Sequence, residues 1–121
     1  MSSSFRELEV WILAMTLVED IYILSRDFPP DERFGLTAQV RRAAVSVPSC
    51  IAEGHARPTT RDYLRFIGIA SGSLAEVETQ VLVAEKLKLT TADSAQRILD
   101  ITEHIGRMLN RLRSVLEAKI N

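Results

Sequence analysis

Few residues in this chain have the type and spacing to do chemistry. The two histidines, His55 and His104, belong to no Glu-x-x-His or His-x-x-x-His spacing, which a di-iron or zinc bundle needs. No metal site and no cofactor is therefore expected. The lone cysteine, Cys50, lies two residues after Pro48 in an apolar stretch. A nucleophilic thiol needs a base beside it, so Cys50 reads as a small buried hydrophobe, and a single cysteine forms no internal disulfide framework. Glu76 and Glu78 are two positions apart; on a helix they point roughly 200° away from each other, which does not suit paired acid and base roles. No catalytic residue emerges, and a non-enzymatic protein is expected.

The arginines are more informative. Twelve of the fifteen basic residues are arginine, the better fork for carboxylate or phosphate. The net charge of −1 hides their distribution: residues 1–32 hold two Arg against seven Asp/Glu, whereas residues 33–65 hold six Arg against Glu53 and Asp62. Two readings compete for Arg41, Arg42, Arg57, Arg61 and Arg65. In one they pair with carboxylates of the first helix or of a neighbouring subunit. In the other they form a local basic patch for a nucleic-acid backbone. Aromatic content of 6% supplies little base stacking, so such binding is expected to be backbone-directed and salt-sensitive. Glu53 follows Arg42 by eleven residues, too far for a pair within one helix. Its partner is expected on another helix, and Arg42, Glu53, Glu76 and Glu78 are candidates for inter-helix or inter-subunit ion pairs.

The elements that position these groups follow from apolar spacing. The length, 121 residues with 46% hydrophobic, fits one domain over residues 1–121. Four segments repeat apolar residues at three- and four-residue steps, with turn or cap chemistry between them, so the spacing predicts an all-α protein. Helix 1 is expected over 5–27, ending at Phe28-Pro29-Pro30. Residues 31–35 form a connector. Helix 2 is expected from an N-cap at Thr37 to about Ala56, kinked by the interior Pro48. Helix 3 is expected over 60–88 from a Thr59/Asp62 capping box, with the stripe Ile67, Ala70, Leu74, Val77, Val81 and Ala84. Helix 4 is expected over 92–118 with the seam Ile98, Ile101, Ile105, Met108, Leu112 and Val115. Four long helices on short connectors predict an antiparallel up-down bundle.

Two features exceed a generic bundle. Helix 1 carries one stripe at Leu8, Trp11, Met15, Val18 and Tyr22 and a second at Val10, Ala14, Leu17, Ile21, Leu24 and Phe28. A helix apolar on two sides wants two partners, so a homo-oligomer is expected, with Trp11, Ile12, Leu13 and Leu17 in its interface. Gly68 and Gly72 stand four apart inside helix 3, where each costs about 1 kcal/mol relative to alanine. They are expected to mark a close crossing with a neighbouring helix and to join that interface. The order Arg6, Glu7, Glu9 before Val10 is wrong for a secretory signal, and the longest uncharged runs, 43–52 and 66–75, are too short to span a bilayer. A cytoplasmic protein without a membrane or small-molecule substrate is expected.

Phe5-Arg6-Glu7-Leu8 with Trp11, Leu36-Thr37-x-Gln39-x-Arg41-Arg42-Ala43-Ala44-x-Ser46-x-Pro48, Ile51-Ala52-Glu53-Gly54 and Gly72-Ser73-Leu74-Ala75-Glu76-x-Glu78-Thr79 resemble, in order and spacing, the four-helix bundle family encoded by intervening sequences in bacterial large-subunit ribosomal RNA genes. The resemblance runs along nearly the whole chain. It implies a ring-shaped homopentamer and kinship with the accessory variability determinant of diversity-generating retroelements, a basic pentameric bundle that binds nucleic acid and a reverse transcriptase. The chain departs from the family pattern at Cys50, where asparagine is usual, and at His55-Ala56, and it is net acidic where the retroelement relatives are basic. The function expected from residues and resemblance together is a non-enzymatic oligomeric binding or scaffold module. Its expected partners are further copies of itself and RNA or an RNA-associated protein. The competing expectation is a purely structural oligomer whose arginines are consumed in ion pairs.

Overall fold

Proline, glycine and threonine punctuate the chain where the helices begin and end. The computed structural model describes residues 4–120. Four helices form: α1 (Glu9–Arg26), α2 (Leu36–His55), α3 (Thr60–Lys86) and α4 (Ala92–Ile120), with short 3-10 turns at Phe5–Glu7 and Pro30–Glu32. No strand occurs among the described residues.

The first helix is not continuous from residue 5 as expected. Ser4 Oγ accepts the Arg6 N–H and starts a 3-10 turn, and Leu8 is extended (φ −73°, ψ 125°) before α1 begins. This break accompanies an edge-on contact of the Phe5 and Trp11 rings, 5.3 Å between centroids. The N-cap of α2 also differs from expectation. The helix starts at Leu36, and Glu32 Oε1 accepts the Leu36 N–H at 3.0 Å, so a carboxylate from the preceding turn takes the role assigned to Thr37. A negative group suits that position because unpaired N–H groups and the helix dipole face it. Pro48 lies inside α2, which is not split there.

Thr59 behaves as its spacing predicts: its hydroxyl accepts the Asp62 N–H at 3.2 Å. Thr91 does the same for Ser94 at 3.1 Å. α3 ends two residues early, because Lys88 turns left-handed at φ 62°. Leu89 N–H then bonds the Ala84 carbonyl (2.8 Å) and Lys88 N–H the Glu85 carbonyl (3.0 Å). This is the double bond of a Schellman cap, with lysine where glycine is usual.

α2 packs on α3, α3 on α4, α1 on α2, and α1 closes the cycle against α4; α1 and α3 have no close backbone approach and stand at diagonal corners. The α3 stripe is wholly buried as expected, and so is the second α1 stripe, from Val10 to Phe28. Leu17 is therefore a core residue with no exposed surface, which removes it from the expected interface. The α4 seam is shifted: Ala95, Ile98, Thr102, Ile105, Leu109 and Leu116 are buried, whereas Ile101, Met108 and Leu112 are half-buried and Val115 is exposed. Thr102 can occupy the core because its hydroxyl donates to the Leu99 carbonyl at 3.0 Å, so no polar group is left unpaired. α3 is long and apolar enough to cross a membrane by length and composition alone; its apolar row packs within the fold.

The close helix crossing expected at Gly68 and Gly72 lies elsewhere. A Cβ at either glycine would meet nothing within 4 Å. At Gly54 it would meet Phe66 Cβ and Tyr63 Cδ1 at 2.9 Å and the Tyr63 carbonyl at 3.3 Å. The end of α2 thus presses on the start of α3 at the one glycine of the Ala-Glu-Gly turn.

Candidate nucleic-acid interface

The five arginines divide into two groups because α2 is long. Arg41 and Arg57 are sixteen positions apart, about 24 Å along a helix axis. They do not form the single local patch that their proximity in sequence suggests.

Arg41 and Arg42 sit in the first half of α2, beside α1. Arg41 Nε donates to Ser25 Oγ at 2.8 Å, its Nη2 to the Tyr22 carbonyl at 3.4 Å, and its guanidinium lies 4.4 Å from the Tyr22 ring centroid. Ser25 is 2% exposed and donates its own proton to the Ile21 carbonyl at 2.7 Å. Arg41 thus ties α2 to α1 as one reading expects, but through neutral groups rather than carboxylates. Arg42 is exposed. On one side it lines a polar groove of about 280 Å³ between α2 and α3 with Gln39, Ser46, Ser73, Glu76 and Gln80. Ser46 and Ser73 share a 2.8 Å hydrogen bond there, and Gln80 Oε1 is buried without a partner. Arg42 and Glu76 share this groove without forming an ion pair, and half-buried Glu78 forms none among the described residues either.

Arg57, Arg61 and Arg65 surround the turn between α2 and α3. Arg57 pairs with Glu53 at 3.8 Å, which corrects the expectation that Glu53 finds its partner on another helix: four residues on, Arg57 is within reach of it. Arg65 pairs with Asp62 at 3.6 Å. Their guanidiniums lie 4.8 and 4.5 Å from the buried Phe66 ring. Both ion pairs are exposed, so each holds its arginine by no more than about 1 kcal/mol. Arg61 is exposed with no ion pair among the described residues.

The expected interface residues are placed unevenly. Ile12 is 51% exposed, Trp11 and Leu13 are half-buried, and Gly68 and Gly72 lie on an open face of α3. Cys50 is buried with its thiol 3.6 Å from Ser46 Oγ. His55 meets Tyr63 edge-on at 5.9 Å. Burial of the Tyr63 phenol raises its pKa above 10.0. No group of three His, Cys, Asp or Glu among the described residues is placed to hold a metal ion.

Tyr22, Arg33 and Phe34 were missed by the sequence reading. They line a second groove with Arg41, Arg42 and Val45, between α1 and the start of α2. Phe34 is 86% exposed, and Arg33 lies over its ring at 5.1 Å. A low overall aromatic content conceals them; the available signal is Arg33-Phe34 side by side in the connector between α1 and α2.

The fold and this surface define an all-α, four-helix protein with an arginine-rich flank. Residues 6–111 match the 23S rRNA-intervening sequence protein family, and the chain belongs to that family. Among solved structures, a protein of unknown function of the S23 ribosomal protein family from Bacteroides thetaiotaomicron is similar with a TM-score of 0.80. The identity is 17%, over 86% of this chain and 97% of that one, so the likeness is one of fold. No curated protein matches the chain.

Proposed function

We propose that this protein is a non-enzymatic, cytoplasmic binding or scaffold module that assembles as a ring of five copies and contacts RNA through the arginines of α2 and the start of α3. The subunit in this reading is an antiparallel up-down bundle. The connectors 56–59 and 87–91 are too short to carry the chain back along a helix. α2 bends at Pro48, which offers no N–H to the Ala44 carbonyl.

The observation that carries assembly is the apolar surface left on α1 after the core is formed: Ile12, Met15 and Ile23 are 51%, 42% and 56% exposed. A second uncharged face runs along α3 through Gly68, Gly72, Ala75, Thr79 and Leu82, all exposed. These faces belong to helices at diagonal corners. Two different patches facing apart favour head-to-tail contact, which closes into a ring when the rotation permits. The count of five rests on the family resemblance.

RNA contact is supported by Arg42 and Arg61, which have no ion pair among the described residues, and by the weakly held Arg57 and Arg65. The structural reading is favoured most at Arg41, whose donors are engaged on α1, and draws partial support from the exposed pairs of Arg57 and Arg65.

Sedimentation tests assembly. The expected species at micromolar concentration has about five times the 13.6 kDa chain mass; a folded monomer refutes the ring. RNA affinity should fall steeply between low and physiological salt. Absence of binding at low salt, or binding indifferent to salt, refutes the phosphate contact.

A further inference from the structure

We infer that the groove between α1 and the start of α2 is a binding site for single-stranded RNA, with a base stacked on Phe34 and its phosphate held by Arg33 and Arg42; this rests on the RNA reading above and deepens it.

The groove has a volume of about 550 Å³, within the range of small-ligand sites. Three guanidiniums and two aromatic rings line it, and no carboxylate does. The nearby Glu32 carboxylate is committed to the Leu36 N–H. Arg33 and Arg42 form no ion pair among the described residues, so the lining of the groove itself carries net positive charge. An anion is the complementary occupant.

Charge alone would admit any polyanion; the rings narrow the choice. Phe34 presents 86% of its surface to solvent, with a guanidinium over it. Tyr22 is 41% exposed under Arg41, which Ser25 and the Tyr22 carbonyl hold in place. Aromatic faces and arginine planes are the groups on which unstacked bases lie. A duplex keeps its bases paired and offers only phosphates. An acidic peptide brings charge without a large planar face. A single strand brings both.

Fluorescence anisotropy with the full chain tests this, using a labelled oligouridylate, an RNA duplex of equal length, oligoglutamate and uridine monophosphate. Phe34→Ala should weaken oligouridylate binding about 10-fold and leave duplex binding unchanged, and Phe34→Tyr should restore it. Arg33→Ala should reduce the salt slope for the single strand by about one phosphate contact. Phe34 contributes nothing to the buried core, so its replacement should leave folding and sedimentation intact. If oligouridylate binds and Phe34→Ala is silent, or if single strand and duplex weaken alike, the groove is wrong while the arginine reading stands. If neither RNA binds at low salt, both fall. Oligoglutamate competing as tightly as oligouridylate would make it a general anion site. Uridine monophosphate competing as tightly would make the occupant a free nucleotide. Altered sedimentation of Phe34→Ala would place the ring between subunits. Each of these three results overturns the RNA assignment.

Discussion

At the scale of single residues, glycine separates what composition suggests from what contact requires. Gly54 has no room for a methyl group, because backbone and Cβ atoms of the α3 start stand within 3.3 Å of where it would be. Gly106, inside α4, would place its Cβ an ordinary 3.7 Å from Leu74 Cδ2. Gly54→Ala should therefore destabilise the protein by about 1–3 kcal/mol through overpacking, while Gly106→Ala should stabilise it by about 0.5–1 kcal/mol through helix propensity. Urea denaturation of the two variants should move in opposite directions. Arg41 makes a similar point. Its neighbour Arg42 has the same side chain, yet one is spent on Ser25 and Tyr22 while the other remains open. Two successive helical residues point about 100° apart, so only one of the pair reaches the Ser25 hydroxyl on α1, although both line the groove beside Tyr22.

At the scale of elements, caps and stops were the most legible feature. Thr59 accepts the N–H group its spacing assigns to it, and Phe28-Pro29-Pro30 follows one residue after α1. The ends that differ from expectation are those where a neighbouring side chain or a backbone turn took over the cap. Glu32 reached the α2 terminus from the preceding turn, and the left-handed Lys88 closed α3 early. A lysine there is strained relative to glycine, which adopts positive φ without steric cost. Lys88→Gly should raise the thermal midpoint, with a gain of up to about 1 kcal/mol. An unchanged or lowered midpoint would show that the lysine side chain contributes more than its backbone costs. In α4 the 3–4 spacing was right and the buried line lay one row over. Thr102 does not look like a core residue until its hydroxyl is seen to bond its own helix.

At the scale of the whole molecule, the proposed ring makes a prediction that a symmetric dimer does not. Ile12→Glu would damage the α1 face and Gly72→Glu the α3 face, and both positions are exposed. Each variant alone should sediment below the ring. Mixed, they should form a heterodimer through the one undamaged pair of faces, because head-to-tail contacts use two different surfaces. Failure of the mixture to associate would count against head-to-tail assembly. The surplus of apolar positions on helix 1 was visible in sequence, but both of its stripes were candidates for export to an interface. The structure buries the Val10 to Phe28 stripe, Leu17 included, and leaves Ile12, Met15 and Ile23 outside.

The sequence by itself determined four helices, their approximate ends, the α3 core row and the family, because each is written in local spacing or in ordered motifs. Tertiary structure decided which glycine lies at a crossing, which arginines remain free, and that Tyr22, Arg33 and Phe34 share a groove with Arg41 and Arg42. Those outcomes depend on how helices rotate about their axes and which faces they present to one another. A rotation of one residue, about 100°, changes every neighbour of a side chain while leaving its periodic pattern intact.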